Sequence, residues 1–158
     1  MARVNALIAG KGVWSPYAKR MRNFACLRYA VEFYNVARKT GCPIIRAFLI
    51  GQAIELYLKA FLFHQGYGEK KLKNKPFGHN LTRLLEEAIA NGLNTRIYIS
   101  PALRSDLDSL NKVYSSKALQ YFSIVFLIAT PTLPKLARLL RFVSGLDHYL
   151  VCLIPEPE

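Results

Sequence analysis

Apolar residues fill nearly every position from Ile44 to Phe63 (IIRAFLIGQAIELYLKAFLF). A helix that is hydrophobic all round has to be buried by its neighbours. Projected at 3.6 residues per turn, Gln52, Glu55 and Lys59 fall in one narrow sector, with Arg46 well off that line. The stretch therefore predicts a central buried helix carrying one polar stripe. Chemistry is to be sought first where that stripe meets the surrounding elements. A membrane span is excluded here, because Arg46, Glu55 and Lys59 would each cost about 2.5 to 3.5 kcal/mol near a bilayer centre. The other apolar stretch, Leu119 to Ala129, is too short to span.

The flanking pattern predicts helices packed around this one. Ser15-Pro16 is a start signal, with Ser as N-cap and Pro at the first helical position. Phe24, Leu27, Val31 and Tyr34 then recur at three- and four-residue steps, giving a helix to about Lys39. Thr40-Gly41-Cys42-Pro43 turns the chain, and the central helix runs on to about Gln65-Gly66. Gly68 to Gly78 (GEKKLKNKPFG) has no apolar period and reads as a basic surface loop. Asn80 caps a strongly amphipathic helix with apolar positions 81, 84, 85, 88 and 89, closed by Asn91-Gly92. Ser100-Pro101 starts another, with Leu103, Leu107, Leu110 and Tyr114 on one face, fading by about Ser116.

Leu119 to Ile128 is rich in β-branched and aromatic residues and is read as extended. Leu136, Leu139, Leu140 and Val143 mark a last helix, and the tail from Pro155 reads as frayed. Val13 and Trp14 are expected to fold back onto the body. The architecture that follows is all-α, an up-and-down bundle of about five helices in one domain, with its core at about 15–150.

Composition narrows the function classes. The 158 residues are 52% hydrophobic and 20% charged, which excludes a disordered chain. Lys and Arg number 22 against 10 Asp and Glu, a formal charge of +12, so polyanions are attracted whatever their sequence. Three scattered cysteines (Cys26, Cys42, Cys152) and three His lack metal-ligand spacing. The cysteines read as reduced, mostly core thiols, and neither metal nor cofactor is expected. The first 15 residues lack a long apolar region and a cleavage site, so a cytoplasmic protein is expected.

Glu55 and Lys59 stand i, i+4 in the favourable order for an ion pair. The pair either ties helices together or, with His79 at the start of the next helix, lines a polar notch able to hold a phosphate or base. Lys70, Lys71, Lys73 and Lys75, with Arg83 nearby, supply cations beside it.

The segments A-I-E-L-Y-L-K-A-F-L (53–62) and G-H-N-L-T-R-L-L-E-E-A (78–88), joined by the basic run, resemble the HEPN superfamily of small all-helical domains. The likeness covers residues 44–91 well and the flanking helices by general pattern. It implies a four- or five-helix bundle, often dimeric, that binds nucleotides or RNA, with an antitoxin or nucleotidyltransferase as a partner in toxin-antitoxin or defence systems. Some relatives are metal-independent ribonucleases using an Arg and a His four to six residues apart on a late helix. Arg141 and His148, with six residues between them, match that spacing. Two departures stand against catalysis by the pair: Phe142 replaces the usual polar residue, and Gly145 weakens the helix between them. The preferred reading is a binding module for RNA or a nucleotide. The alternatives are an endoribonuclease toxin and a non-catalytic dimerising module whose basic face meets an acidic partner.

Overall fold

The structure, a computed structural model, describes residues 15–117, 119 and 132–157. The first helix, α1 (Pro16–Lys39), begins where the Ser15 side chain accepts the Ala18 amide at 3.1 Å. It ends with Arg38 and Lys39, cations that suit the negative end of the helix dipole. The next helix, α2 (Pro43–His64), starts after a short turn, and the Arg46 guanidinium on its first turn reaches back to the Thr40 carbonyl. That bond closes the hairpin by satisfying a carbonyl at the end of α1.

Thirteen of the 22 residues of α2 are buried, and the half-buried Phe48, Gln52, Leu56 and Lys59 share the remaining side. The helix is largely enclosed because α1, α4 (Leu81–Ala90), α5 (Pro101–Ser115) and α6 (Leu136–Leu153) all pack against it. The central position expected from its composition is thus observed. Among the described residues the only regular structure is helical, and the bundle is all-α.

Three expectations need correction. Within Gly68 to Gly78 the chain forms a short helix, α3 (Glu69–Lys73), rather than a continuous loop. Leu72 is its buried anchor, and Glu69 pairs with Lys73 one turn on. One apolar residue in five cannot make a period, so no pattern betrays such a helix. The last helix also runs unbroken through Gly145, despite the cost of about 1 kcal/mol that Gly carries in a helix interior. Phe142, Val143, Leu146 and Leu150 are buried on both sides of it, and their packing offsets that local penalty. Thirdly, Cys42 and Cys152 are exposed, not core. Cys42 sits in the hairpin turn and Cys152 on the outer side of α6, and sequence spacing gives no sign of their exposure. The expectations for Val13, Trp14 and the extended run after Leu119 fall outside the described residues.

The capping signals appear where the sequence places them. Asn80 accepts the Arg83 amide at 3.1 Å at the start of α4, and Ser100 accepts the Leu103 amide at 3.1 Å at the start of α5. A single-turn 3-10 helix, Leu93–Thr95, lies between the two. Ties between helices are specific as well: Tyr57 on α2 donates to Asp147 on α6 at 2.7 Å, and Arg138 on α6 pairs with Asp106 on α5. Among the described residues no helix is long and apolar enough to cross a membrane.

Candidate functional site

Glu55 is the one buried charged residue among those described, 4% exposed at the middle of α2. A carboxylate there has to be paired and hydrogen-bonded, since burying it bare would cost far more than a fold of this size can offset. Three donors converge on it. Lys59, one turn along, donates to Oε1 at 2.5 Å; the Tyr114 hydroxyl donates to Oε2 at 2.6 Å; and His79 Nδ1 lies 3.0 Å from the same Oε2. A carboxylate oxygen only accepts, so Nδ1 carries the proton and Nε2 is the ring nitrogen left for the outside.

The three elements that meet here are legible separately in the sequence. The i, i+4 pair comes from α2, and His79 comes from the turn that the Asn80 cap fixes before α4. Periodicity places Tyr114 on the apolar face of α5 and misses its role. The available signal is a hydroxyl on a face otherwise made of leucines. Burial, and after it the Glu55 charge and hydrogen bond, push the Tyr114 phenol far above its ordinary range, so it stays a donor.

Gly51 makes that contact feasible. A Cβ at this position would stand 2.5 and 2.7 Å from two carbons of the Tyr114 ring. Only a glycine lets the ring come this close to α2 with its hydroxyl bonded to Glu55. Gly51→Ala is therefore expected to lower the melting temperature even though alanine is the better helix former. Overpacking costs about 1 to 3 kcal/mol, against roughly 1 kcal/mol of propensity gained. A thermal melt that rises on this substitution would show that the ring moves aside freely.

Lys59 is inward with its partner, its side chain 11% exposed, so its charge is committed to Glu55. His79, with 45% of its side chain exposed, is the member of the trio that reaches outward. It lines a cavity of 530 Å³ together with Lys73, Lys75, Pro76, Phe77, Gly78, Asn80 and Ser115.

The four lysines do not act as one patch. Lys70 and Lys73 face a separate cleft of 650 Å³, joined there by Lys19 and Arg22 of α1 and by the aromatic side chains of Phe63 and Tyr67. The Arg22 guanidinium stacks 3.9 Å above the Phe63 ring. Lys73 borders both cavities, and Lys75 only the one before His79. Lys71 leans over the Tyr67 ring at 4.2 Å and sits 3.7 Å from Glu87, whose carboxylate also accepts the Tyr67 hydroxyl. Arg83 pairs with Glu86 at 2.8 Å on the outer face of α4, away from both clefts. In the sequence Lys19 and Arg22 read only as the polar side of an amphipathic helix; the hairpin brings them beside α3.

Arg141 and His148 are both exposed on α6, two turns apart and therefore on one side of the helix. His148 borders a third cleft, of 490 Å³, with Arg96, Ile97, Tyr98, Gly145, Tyr149 and Cys152; Arg141 is not in its wall. The thiol of Cys26 donates to the Leu56 carbonyl at 3.3 Å, and burial pushes it up to about 12, which leaves it unreactive at neutral pH. Among the described residues no group of three His, Cys, Asp or Glu side chains could hold a metal ion.

No curated protein and no solved structure matches this chain. The family model of the HEPN domain matches residues 25–123, a span that takes in most of the α1–α2 hairpin, the lysine-rich segment, Glu55, Lys59, His79 and Tyr114, and stops short of Arg141 and His148. With well over half of its length matched, and an all-helical bundle built around the segment that carries the likeness, the chain belongs to the HEPN domain family.

Proposed function

We propose that this protein is an RNA- or nucleotide-binding HEPN module. The observation that carries the reading is the cleft where Lys19, Arg22, Lys70 and Lys73 surround Phe63 and Tyr67. Cations there meet phosphates, and aromatic rings offer faces to bases, the combination by which single strands are held without sequence preference. The formal charge of +12 adds long-range attraction. A homodimer, and an antitoxin or nucleotidyltransferase as partner, belong to the same proposal through the family.

The test is the salt dependence of binding to single-stranded RNA, read by fluorescence anisotropy. Neutralising Lys70, Lys71, Lys73 and Lys75 together reduces the slope of log K against log salt by about 0.7 for each phosphate that the variant no longer neutralises. Lys71, already held by Glu87, contributes least. A quadruple variant with the parent's slope and affinity removes the reading, and the basic surface is then left for an acidic protein partner.

One observation favours a second reading, a metal-independent endoribonuclease. Because α6 passes Gly145 intact, Arg141 and His148 share an exposed face. Arg would stabilise charge on the phosphorane, and His would take the proton of the 2′-hydroxyl. Cleavage of mixed RNA in EDTA that both Arg141→Ala and His148→Ala abolish establishes it. Cleavage that survives both substitutions, or none in the parent, removes it.

A further inference from the structure

The cavity in front of His79 has a chemistry that the strand-binding cleft lacks. We infer that it binds a phosphate monoester, supplied by the phosphorylated end of an RNA strand or by a mononucleotide. The inference rests on the nucleic-acid reading above and names the group that this part of the surface selects.

Some polar groups in the cavity are already used. Asn80 Oδ1 accepts the Arg83 amide at 3.1 Å and the Asn111 side-chain amide at 3.3 Å, and Ser115 donates its hydroxyl to the Asn111 carbonyl at 2.6 Å. The basic groups left for a ligand are Lys73, Lys75 and the outward nitrogen of His79. Lys75 has no ion-pair partner among the described residues, while Lys73 shares its charge with Glu69 on an exposed turn. Gly78, at φ +40°, holds the turn that presents His79, in a region that side-chain-bearing residues rarely enter.

Glu55 determines how the imidazole can act. Its carboxylate accepts the hydrogen bond from Nδ1–H and locks the ring, yet it does not repel an anion, because Lys59 balances its charge within the core. Nε2 can then serve a monoester in either protonation state. The imidazolium donates to a phosphate oxygen, and the neutral ring accepts from the P–OH of a monoanion. A phosphodiester inside a strand has one negative charge and no P–OH, so it gains less from the same three groups. At 530 Å³ the cavity suits a phosphoryl group with its sugar. Lys73 borders this cavity and the aromatic cleft alike, so a strand lying in the cleft can bring its end to His79.

The test uses the full chain and has two arms. In the first, uridine 5′-monophosphate and uridine are titrated while the His79 imidazole is followed by NMR; the monophosphate moves its resonances and the nucleoside does not. In the second, short uridine oligomers with a 5′-phosphate, a 3′-phosphate or no phosphate are compared by anisotropy. A phosphorylated end binds roughly fivefold more tightly than none, and the preferred end identifies the strand's polarity. His79→Gln and Lys75→Gln each remove the preference, and any general weakening that Lys75→Gln brings falls equally on all three oligomers. Lys75 lies on the surface, so its variant folds whatever becomes of the other. Equal binding of all three oligomers, or a preference that survives both variants, overturns the monoester site and leaves the strand-binding cleft standing. Oligomers that do not bind at all, with uridine monophosphate still shifting His79, do the reverse: the cleft reading falls and the monoester site stands on the mononucleotide. If neither ligand registers, both are refuted.

Discussion

Leu58→Asp leaves no cooperative unfolding transition. Leu58 is 0% exposed on α2, in the core that the other long helices close around. Trimming a buried leucine to alanine already costs about 2 to 5 kcal/mol through lost burial and the cavity that remains. The aspartate adds a charge with no partner in reach, and its desolvation takes several kcal/mol more. The sum is comparable with the whole stability of a domain of this kind, roughly 5 to 15 kcal/mol. Circular dichroism against temperature reads the outcome, with Leu58→Ala as a milder companion that lowers the melting point without abolishing the transition. A Leu58→Asp protein that melts like the parent would show that this face of α2 reaches water, and the bundle as described could not be right.

Glu55→Ala produces the second large loss, about 3 to 5 kcal/mol by urea denaturation. The reason is what it leaves behind rather than what it removes. Lys59 keeps its charge with almost no exposure, and the buried hydroxyl of Tyr114 loses its acceptor. Two further variants separate these causes. Glu55→Gln still accepts from Tyr114 and His79 and falls between alanine and the parent. Adding Lys59→Met to Glu55→Ala recovers part of the loss, because the orphaned charge is gone and its volume is kept. The nearly closed environment of both side chains is what makes the pair consequential; exposed pairs such as Arg28–Glu32 contribute little. A Glu55→Ala protein within about 1 kcal/mol of the parent, with no recovery in the double variant, would mean that Lys59 escapes to solvent.

The hydrophobic pattern of the chain determined the helices and their order. An all-apolar cylinder from Ile44 to Phe63 has one stable place, the centre, and the Ser15-Pro16, Asn80 and Ser100-Pro101 signals act within one turn of themselves. Such features are local, so a linear reading finds them. The pairing of Glu55 with Lys59 is local in the same sense, one turn of one helix.

Only the tertiary structure decided what each polar group faces. Tyr114 lies 59 positions from Glu55 and looks like one more core residue until Gly51 lets its ring settle on α2. The lysines of one short run separate into two clefts because α3 turns them apart, and Leu72, the one buried residue of that helix, anchors it in the core. Lys19 and Arg22 become part of a cleft only because the hairpin returns the end of α2 to the start of α1. The integrity of α6 across Gly145 has the same origin: propensity argues against a helix there, and the burial of Phe142, Val143, Leu146 and Leu150 outweighs it. Periodicity records which side of an element is buried. Which side chains converge depends on packing between elements distant in sequence, and no window along the chain contains both partners.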